Sequence, residues 1–421
     1  MDLSTTKKHI ILYWLFWVVI FTCFDSGLSN ENLLAGIASL CDEIFILLVF
    51  LYSLFNGHTV LSNRVILITT LFVACGMVGN LVNHTDITTC LLGTFNVIKP
   101  VLLFYAFSNI NFDMDDFMWF MKPFKKFFWF FIAGVIIDIL IPSFGDFLTD
   151  TIFPNYKHGE ERMGLRSIQG FFPRSGALTI LALLYYFYYK YYEPYGSKWK
   201  YFFMVIAIGL TLKVKDIIAM LFCITLSLFQ TIKTIHIALS GIVLFCLIII
   251  YSILLPEHFT GYMNLEEDSG TARVALTVTS CKIARDYMPF GVGFGQFGSP
   301  TSRDRNSNIY NQYGIDWVYG LNYERDGGKY MVDTFWPMIV GETGILGTFL
   351  FLLLLGVVFG PSLKDFLSNT SSITGILPAM LFVALLITSV AKPSLLGPPN
   401  SLLLWGLAGM FDSIRTKEYN I

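Results

Sequence analysis

Long apolar runs separated by short polar stretches dominate this chain. A helix that crosses a hydrocarbon core of ~30 Å needs about 20 apolar residues. By that rule the runs at 9–25, 33–55, 65–83, 88–107, 127–142, 175–192, 200–213, 216–232, 235–255, 335–358, 373–390 and 396–414 predict about twelve transmembrane helices. They form a single all-α polytopic membrane domain over 1–421. The hairpin over 200–232 is short and is broken by Lys213-Val214-Lys215-Asp216. Two connections are long: 142–174, and 256–333 between predicted spans nine and ten, which has ordinary polar composition. The polar start with Lys7 and Lys8 leads into an apolar run too long for a signal peptide, so it reads as a retained first span.

Composition agrees. The 421 residues are 55% hydrophobic and 14% charged, with mean hydropathy +0.62, whereas a soluble domain carries about 25% charged residues. Soluble enzymes, nucleic-acid binders and secreted disulfide scaffolds are excluded together. The seven cysteines show no metal-ligand or redox spacing and read as small core residues. His84, His158 and His258 are not spaced as ligands either, so neither metal nor cofactor is expected.

The net charge of −2 identifies no partner, but the placement of charge does more. Lys7, Lys8, Arg64, Lys122, Lys125, Lys126, Lys190, Lys198, Lys200, Lys233, Lys364, Arg415 and Lys417 fall on one side under the twelve-span arrangement, while loops 26–32 and 84–87 on the other side hold no Lys or Arg. The positive-inside rule then puts both termini in the cytoplasm and both long loops outside. A second basic set lies outside: Lys157, Arg162, Arg166, Arg174, Lys213, Lys215, Arg273, Lys282, Arg285, Arg303, Arg305, Arg325, Lys329 and Lys392. A cationic outer face suits an anionic ligand, and the planar Arg fork suits phosphate; a solvated loop surface balanced by nearby acids is the plainer reading.

Several motifs lie in this outer region. Ser269 or Thr271 can cap a helix running to about Tyr287, which puts Arg273 in its first turn, where a cation is disfavoured unless an anion is bound there. Gly291-Val292-Gly293-Phe294-Gly295 lacks the strand and helix of a nucleotide loop and reads as a tight turn docked on the membrane surface. Pro337 fits the first turn of the next helix, which leaves Asp333 just outside and Glu342 about 8 Å inside. A carboxylate within a span is a functional candidate; a structural partner for an Arg or a backbone group is the alternative for Glu342, and a capping role for Asp333. Arg166 and Arg174 precede a span, where snorkelling anchors are the plain alternative. Asp42, Glu43, Lys99 and Asp138 lie in or near other spans and cannot be paired from sequence.

Arg166 ahead of Gly170-Phe171-Phe172, a basic outer hairpin, an outer loop opening near Arg273 with Pro289-Phe290-Gly291-Val292-Gly293-Phe294-Gly295, and Glu342-Thr343-Gly344-Ile345-Leu346-Gly347 follow in order. This order resembles the O-antigen polymerase/ligase superfamily over residues 166–347. Ligases of that superfamily typically carry His where this chain has Asp333, so the resemblance favours a Wzy-type repeat-unit polymerase over an O-antigen ligase. The usual Ser-Arg/Lys pair of the hairpin is replaced by Lys213-Val214-Lys215. The resemblance implies a GT-C-like architecture in a bacterial inner membrane with its site facing the periplasm. It implies metal-independent transfer of a growing glycan from undecaprenyl diphosphate to another lipid-linked repeat unit, for O-antigen or a related surface polysaccharide. Arg166, Arg174, Lys213, Lys215 and Arg273 would bind the diphosphate, Arg166 and Arg273 would act in catalysis, and Asp333 or Glu342 would serve as base. The expected partners are the lipid-linked donor and acceptor, the bilayer and a chain-length regulator protein, with no nucleic acid. A lipid-linked oligosaccharide flippase is the non-enzyme alternative, although the chain shows no repeated halves.

Overall fold

The computed structural model describes residues 3–25, 33–56, 63–152, 161–162, 165–193, 198–228, 235, 241, 271–369 and 373–419. These are almost entirely helical, with one two-stranded antiparallel hairpin, β1 (Glu161–Arg162) and β2 (Leu165–Arg166). In chain order the helices ahead of the hairpin are α1 (Leu3–Asp25), α2 (Leu33–Asn56), α3 (Asn63–Val82), α4 (Ile87–Asn109), α5 (Met114–Leu140) and α6 (Pro142–Thr151). After it come α7 (Ser175–Phe187), α8 (Trp199–Leu210), α9 (Val214–Leu226), α10 (Ala272–Asp286), α11 (Trp336–Ser368), α12 (Ile376–Thr388) and α13 (Asn400–Tyr419). Short helical turns, including Pro300–Asp304 and Tyr323–Asp326, lie between α10 and α11.

Helix boundaries follow local chemistry. Asp86 starts α4 by accepting from the Thr89 amide at 3.0 Å. Asp113 and Asp116 form a reciprocal capping box at the start of α5. Pro142 cannot continue α5, and α6 leaves it at a bend of 113°. One face of α5 carries Phe117, Phe120, Phe124, Phe128 and Phe131, all nearly inaccessible, at helical spacing. They pack into the main core with Tyr185 and Tyr188 of the α7 segment. Elsewhere Leu48, Leu51, Phe55 and Leu81 point outward and exposed, as lipid-facing side chains do.

Among the described residues, four helices are long and apolar enough to cross a membrane: 5–24, 64–82, 87–109 and 336–368; the bent α5–α6 pair makes a fifth. The expected runs at 200–213 and 216–232 correspond to α8 and α9, of 12 and 13 residues. Thirteen residues extend about 20 Å, short of a full crossing. The expected span at 235–255 lies outside the described residues. A second, smaller core sits over the long loop, where Leu276 and Ile283 of α10 meet Val292, Phe297, Tyr310, Ile315, Val318, Leu321 and Met331.

Candidate functional site

Five chain segments bring together the ends that the charge pattern predicts to face outward. Trp336, at the start of α11, donates from Nε1 to Ser389 Oγ at 3.0 Å, beyond the end of α12. Lys215, in the first turn of α9 and ahead of the apolar run 216–232, donates from Nζ to the Ala391 carbonyl at 2.9 Å. Lys392 Nζ lies so near the start of α7 that a Cβ on Gly176 would stand 3.2 Å from it. Thr179 of α7 donates to Asp216 of α9 at 3.0 Å. Arg273, in the first turn of α10, pairs with Asp333, just ahead of α11, at 2.5 Å.

Lys213, Lys215, Lys392 and Arg273 therefore share one region, with Arg174 at the residue that opens α7. Burial pushes the Lys215 ammonium down to about 7; Lys392, Lys213 and Arg273 push the same way, and Asp216 opposes them. The starts of α7, α9, α10 and α11 meet here, and none is capped by the side chain of its N-cap residue. Amides at a helix start carry partial positive charge. Four basic side chains and these helix starts thus outweigh the carboxylates of Asp216 and Asp333 in this region, a setting that suits an oxyanion.

The other candidate residues have different surroundings. Arg166 lies on β2, and its guanidinium is bound to α5: Nη2 meets Asp138 Oδ1 at 2.7 Å and the Pro142 carbonyl at 3.1 Å, and Nη1 meets the Asp138 carbonyl at 2.8 Å. The second oxygen of the fully buried Asp138 accepts from the amides of Gln169 and Gly170 at 2.8 and 2.9 Å. This clasp ties the segment 166–170 to α5. Lys99 bridges α4 to α2 through Asp42 at 2.9 Å and Glu43 at 3.2 Å.

Glu342 is almost completely buried. Its Oε1 accepts from Ser299 Oγ at 2.6 Å and from the Phe297 amide at 3.1 Å, and the carboxylate also accepts from the amides of Gly295 and Gln296. The alternative of a structural partner for backbone groups describes it, the groups being loop amides and not an arginine. The loop that Glu342 grips is a series of glycine turns, and it packs between α3, α4 and α11. α11 is interrupted at Gly344, which has φ +63°. The carbonyls of Gly341 and Glu342 accept instead from the amides of Val292 and Gly293 at 3.0 and 2.9 Å, and the Leu346 amide donates to the Pro289 carbonyl at 3.2 Å. On the other side, Asn80 of α3 pairs with both backbone groups of Phe294, at 2.8 and 2.9 Å. Positive φ at Gly291, Gly293 and Gly295 makes the path feasible. A Cβ on Gly79 of α3 or Gly93 of α4 would strike loop backbone at 2.9 and 2.5 Å.

The structure thus gathers Arg273, Asp333, Lys213 and Lys215 near the start of α7 and Arg174, whereas Arg166 is hydrogen-bonded to α5 and Glu342 to the loop 295–299. Sequence reasoning placed Lys392 among the outer cations without selecting it, and missed Asn80, whose only sequence signal is an amide in an otherwise apolar run. No protein-family model matches the chain, and no curated protein sequence matches it either.

Proposed function

We propose that the chain is a Wzy-type repeat-unit polymerase that transfers a glycan from undecaprenyl diphosphate to a sugar hydroxyl of another lipid-linked unit. The twelve-span GT-C-like topology, the inner-membrane location with both termini cytoplasmic, and the periplasmic orientation of the site belong to this proposal. So do the lipid-linked partners and a chain-length regulator. The observation that carries the reading is the convergence of Lys213, Lys215, Lys392 and Arg273 near the starts of α7, α9 and α10.

In the transfer, the acceptor oxygen attacks the anomeric carbon. The bond from that carbon to the diphosphate oxygen breaks, and its electron pair leaves with the diphosphate. Preorganised cations stabilise that developing charge, and here Arg273, Lys213 and Lys215 would supply it, with Arg174 and Lys392 at the margin. Asp333 would take the hydroxyl proton. Its pairing with Arg273 is consistent with both roles: an incoming diphosphate competes for the guanidinium and releases the carboxylate toward the acceptor. Arg166 and Glu342 are assigned to scaffold, so the catalytic set narrows to Arg273 and Asp333.

Arg273→Ala should abolish long glycan chains in cells at unchanged protein level, leaving single-repeat surface glycan. A normal chain-length ladder overturns the assignment. Asp333→Asn should keep the protein folded and lose transfer; full activity removes Asp333 as base. Deletion that leaves undelivered lipid-linked polymer identifies a ligase, and units trapped on the cytoplasmic leaflet identify a flippase.

A further inference from the structure

The second core has an outward side with its own chemistry. In the segment 315–323, Ile315, Val318 and Leu321 turn inward and are buried, while Trp317, Tyr319 and Tyr323 turn outward with 51%, 60% and 43% of their surface exposed. The backbone beneath these rings is clamped. Arg325 Nη2 donates to the carbonyls of Trp317 and Val318, both at 3.1 Å, and to Asp326 Oδ2 at 2.7 Å. The same Asp326 oxygen accepts from the Gly320 amide at 2.8 Å, and Asn322 caps the turn Tyr323–Asp326 through the Arg325 amide at 2.9 Å. The Tyr319 ring stands edge-on to Tyr330, centroids 5.9 Å apart. Aromatic rings held out from a pinned backbone lose little conformational freedom on contact, which is how aromatic anchors in binding surfaces work.

We propose that Trp317, Tyr319 and Tyr323 form a saccharide-binding platform that receives the glycan portion of the substrate. A pyranose ring has an apolar C–H face and a hydroxyl rim. Flat aromatic faces match the first, and the Asp316 and Glu324 carboxylates can accept from the second. Asp316 and Glu324 stand next to Trp317 and Tyr323 in the chain and disfavour an anionic partner. Aromatic anchors at a bilayer surface are accompanied by an excess of cations that meet the headgroups, whereas here the exposed Arg325 and Lys329 are balanced by these two acids, with Arg325 also clamped to Asp326. Position supports the same occupant. Val318 and Leu321 share their core with Leu276 of α10, whose first turn carries Arg273. Tyr330 is joined to Asp333 by a turn, its carbonyl accepting from the Asp333 amide at 3.1 Å. The source of the saccharide rests on the polymerase reading; the binding surface does not.

The test uses the full-length protein in nanodiscs and oligosaccharides released by mild acid from the lipid-linked pool of cells that make it. The fluorescence signal of Trp317 is taken as the difference between wild type and Trp317→Phe. Saccharide should perturb that signal saturably, and Tyr319→Ser with Tyr323→Ser should weaken binding about tenfold. In cells the double variant should shorten glycan chains while still making first linkages. Absence of saccharide binding overturns the platform, as does quenching of Trp317 by brominated lipids, which would make the surface a bilayer contact. Full chains from Arg273→Ala with saccharide binding intact would sink the polymerase reading and leave the platform standing; single-repeat glycan from Arg273→Ala with no saccharide binding by the wild type does the reverse.

Discussion

Asp138 and Glu342 are carboxylates inside apolar helices, and each is met by the backbone of a segment that returns to it. Asp138 is paired in addition by Arg166. Removing one partner of a buried ion pair costs about 3–5 kcal/mol because the remaining charge stays buried. Arg166 is about a quarter exposed, so the lower end applies. Arg166→Ala should therefore reduce thermal stability in detergent and protein level together. Loss of glycan at unchanged stability would return Arg166 to the reaction. Neither pairing was legible in the sequence. A charge in an apolar run marks Asp138 and Glu342 as unusual, but Arg166 stands 28 positions from one and Phe297 45 positions from the other. Lys215 carries a different signal. With its ammonium depressed to about 7 by burial first and neighbouring cations next, it is charged below that pH and loses its proton above it. A bound diphosphate diester favours the charged form and raises the pKa. Affinity should then fall as pH rises through 7, approaching tenfold per pH unit, with proton uptake on binding. Lys215→Arg should flatten the profile; an unchanged profile removes Lys215 from the anion site.

At the scale of elements, the loop 289–299 supplies hydrogen bonds that α11 lacks around Gly344. A broken helix inside a membrane protein needs substitute partners for its freed backbone groups, and Val292, Gly293 and Pro289 provide them. Gly293→Ala would place a Cβ 2.5 Å from the Asn80 amide nitrogen at a φ of +94°. The loop should disengage, with a large drop in Tm and proteolytic sensitivity of the outer segment. Unchanged Tm and protease resistance would mean that the loop does not hold the break. The glycine spacing did mark this segment in the sequence. Its insertion depth was not legible, because the complementary small residues Gly79 and Gly93 lie on two other helices far earlier in the chain. By contrast, the apolar runs do lie in helices, although the run 127–142 missed the first half of α5, which is more polar; the caps at Asp86 and Asp113 and the stop at Pro142 are local signals that the apolar runs alone did not use.

For the whole molecule, composition and apolar run length identified a helical membrane protein directly, while the number of crossings depends on short helices such as α8 and α9 whose burial is set by neighbours. Native cysteines offer a direct check of the two-core arrangement. Cys281 is exposed on α10, whereas Cys23, Cys75 and Cys223 are buried. A membrane-impermeant maleimide reaching only the periplasm should label Cys281 in the wild type, and Cys281→Ser should lose that label. Labelling of Cys281 only after the inner membrane is permeabilised would invert the proposed topology.

The interlock at Gly344 also bears on how the protein is made. On the proposed topology, α11 would enter the bilayer carrying a glutamate and unpaired carbonyls whose partners lie on a segment already exported. The span would then reach its mature state only when that segment packs between α3, α4 and α11. Assembly would thus be ordered by hydrogen bonding: insertion of the late helix precedes its completion, and the subdomain with Arg273 is locked in place in the same event.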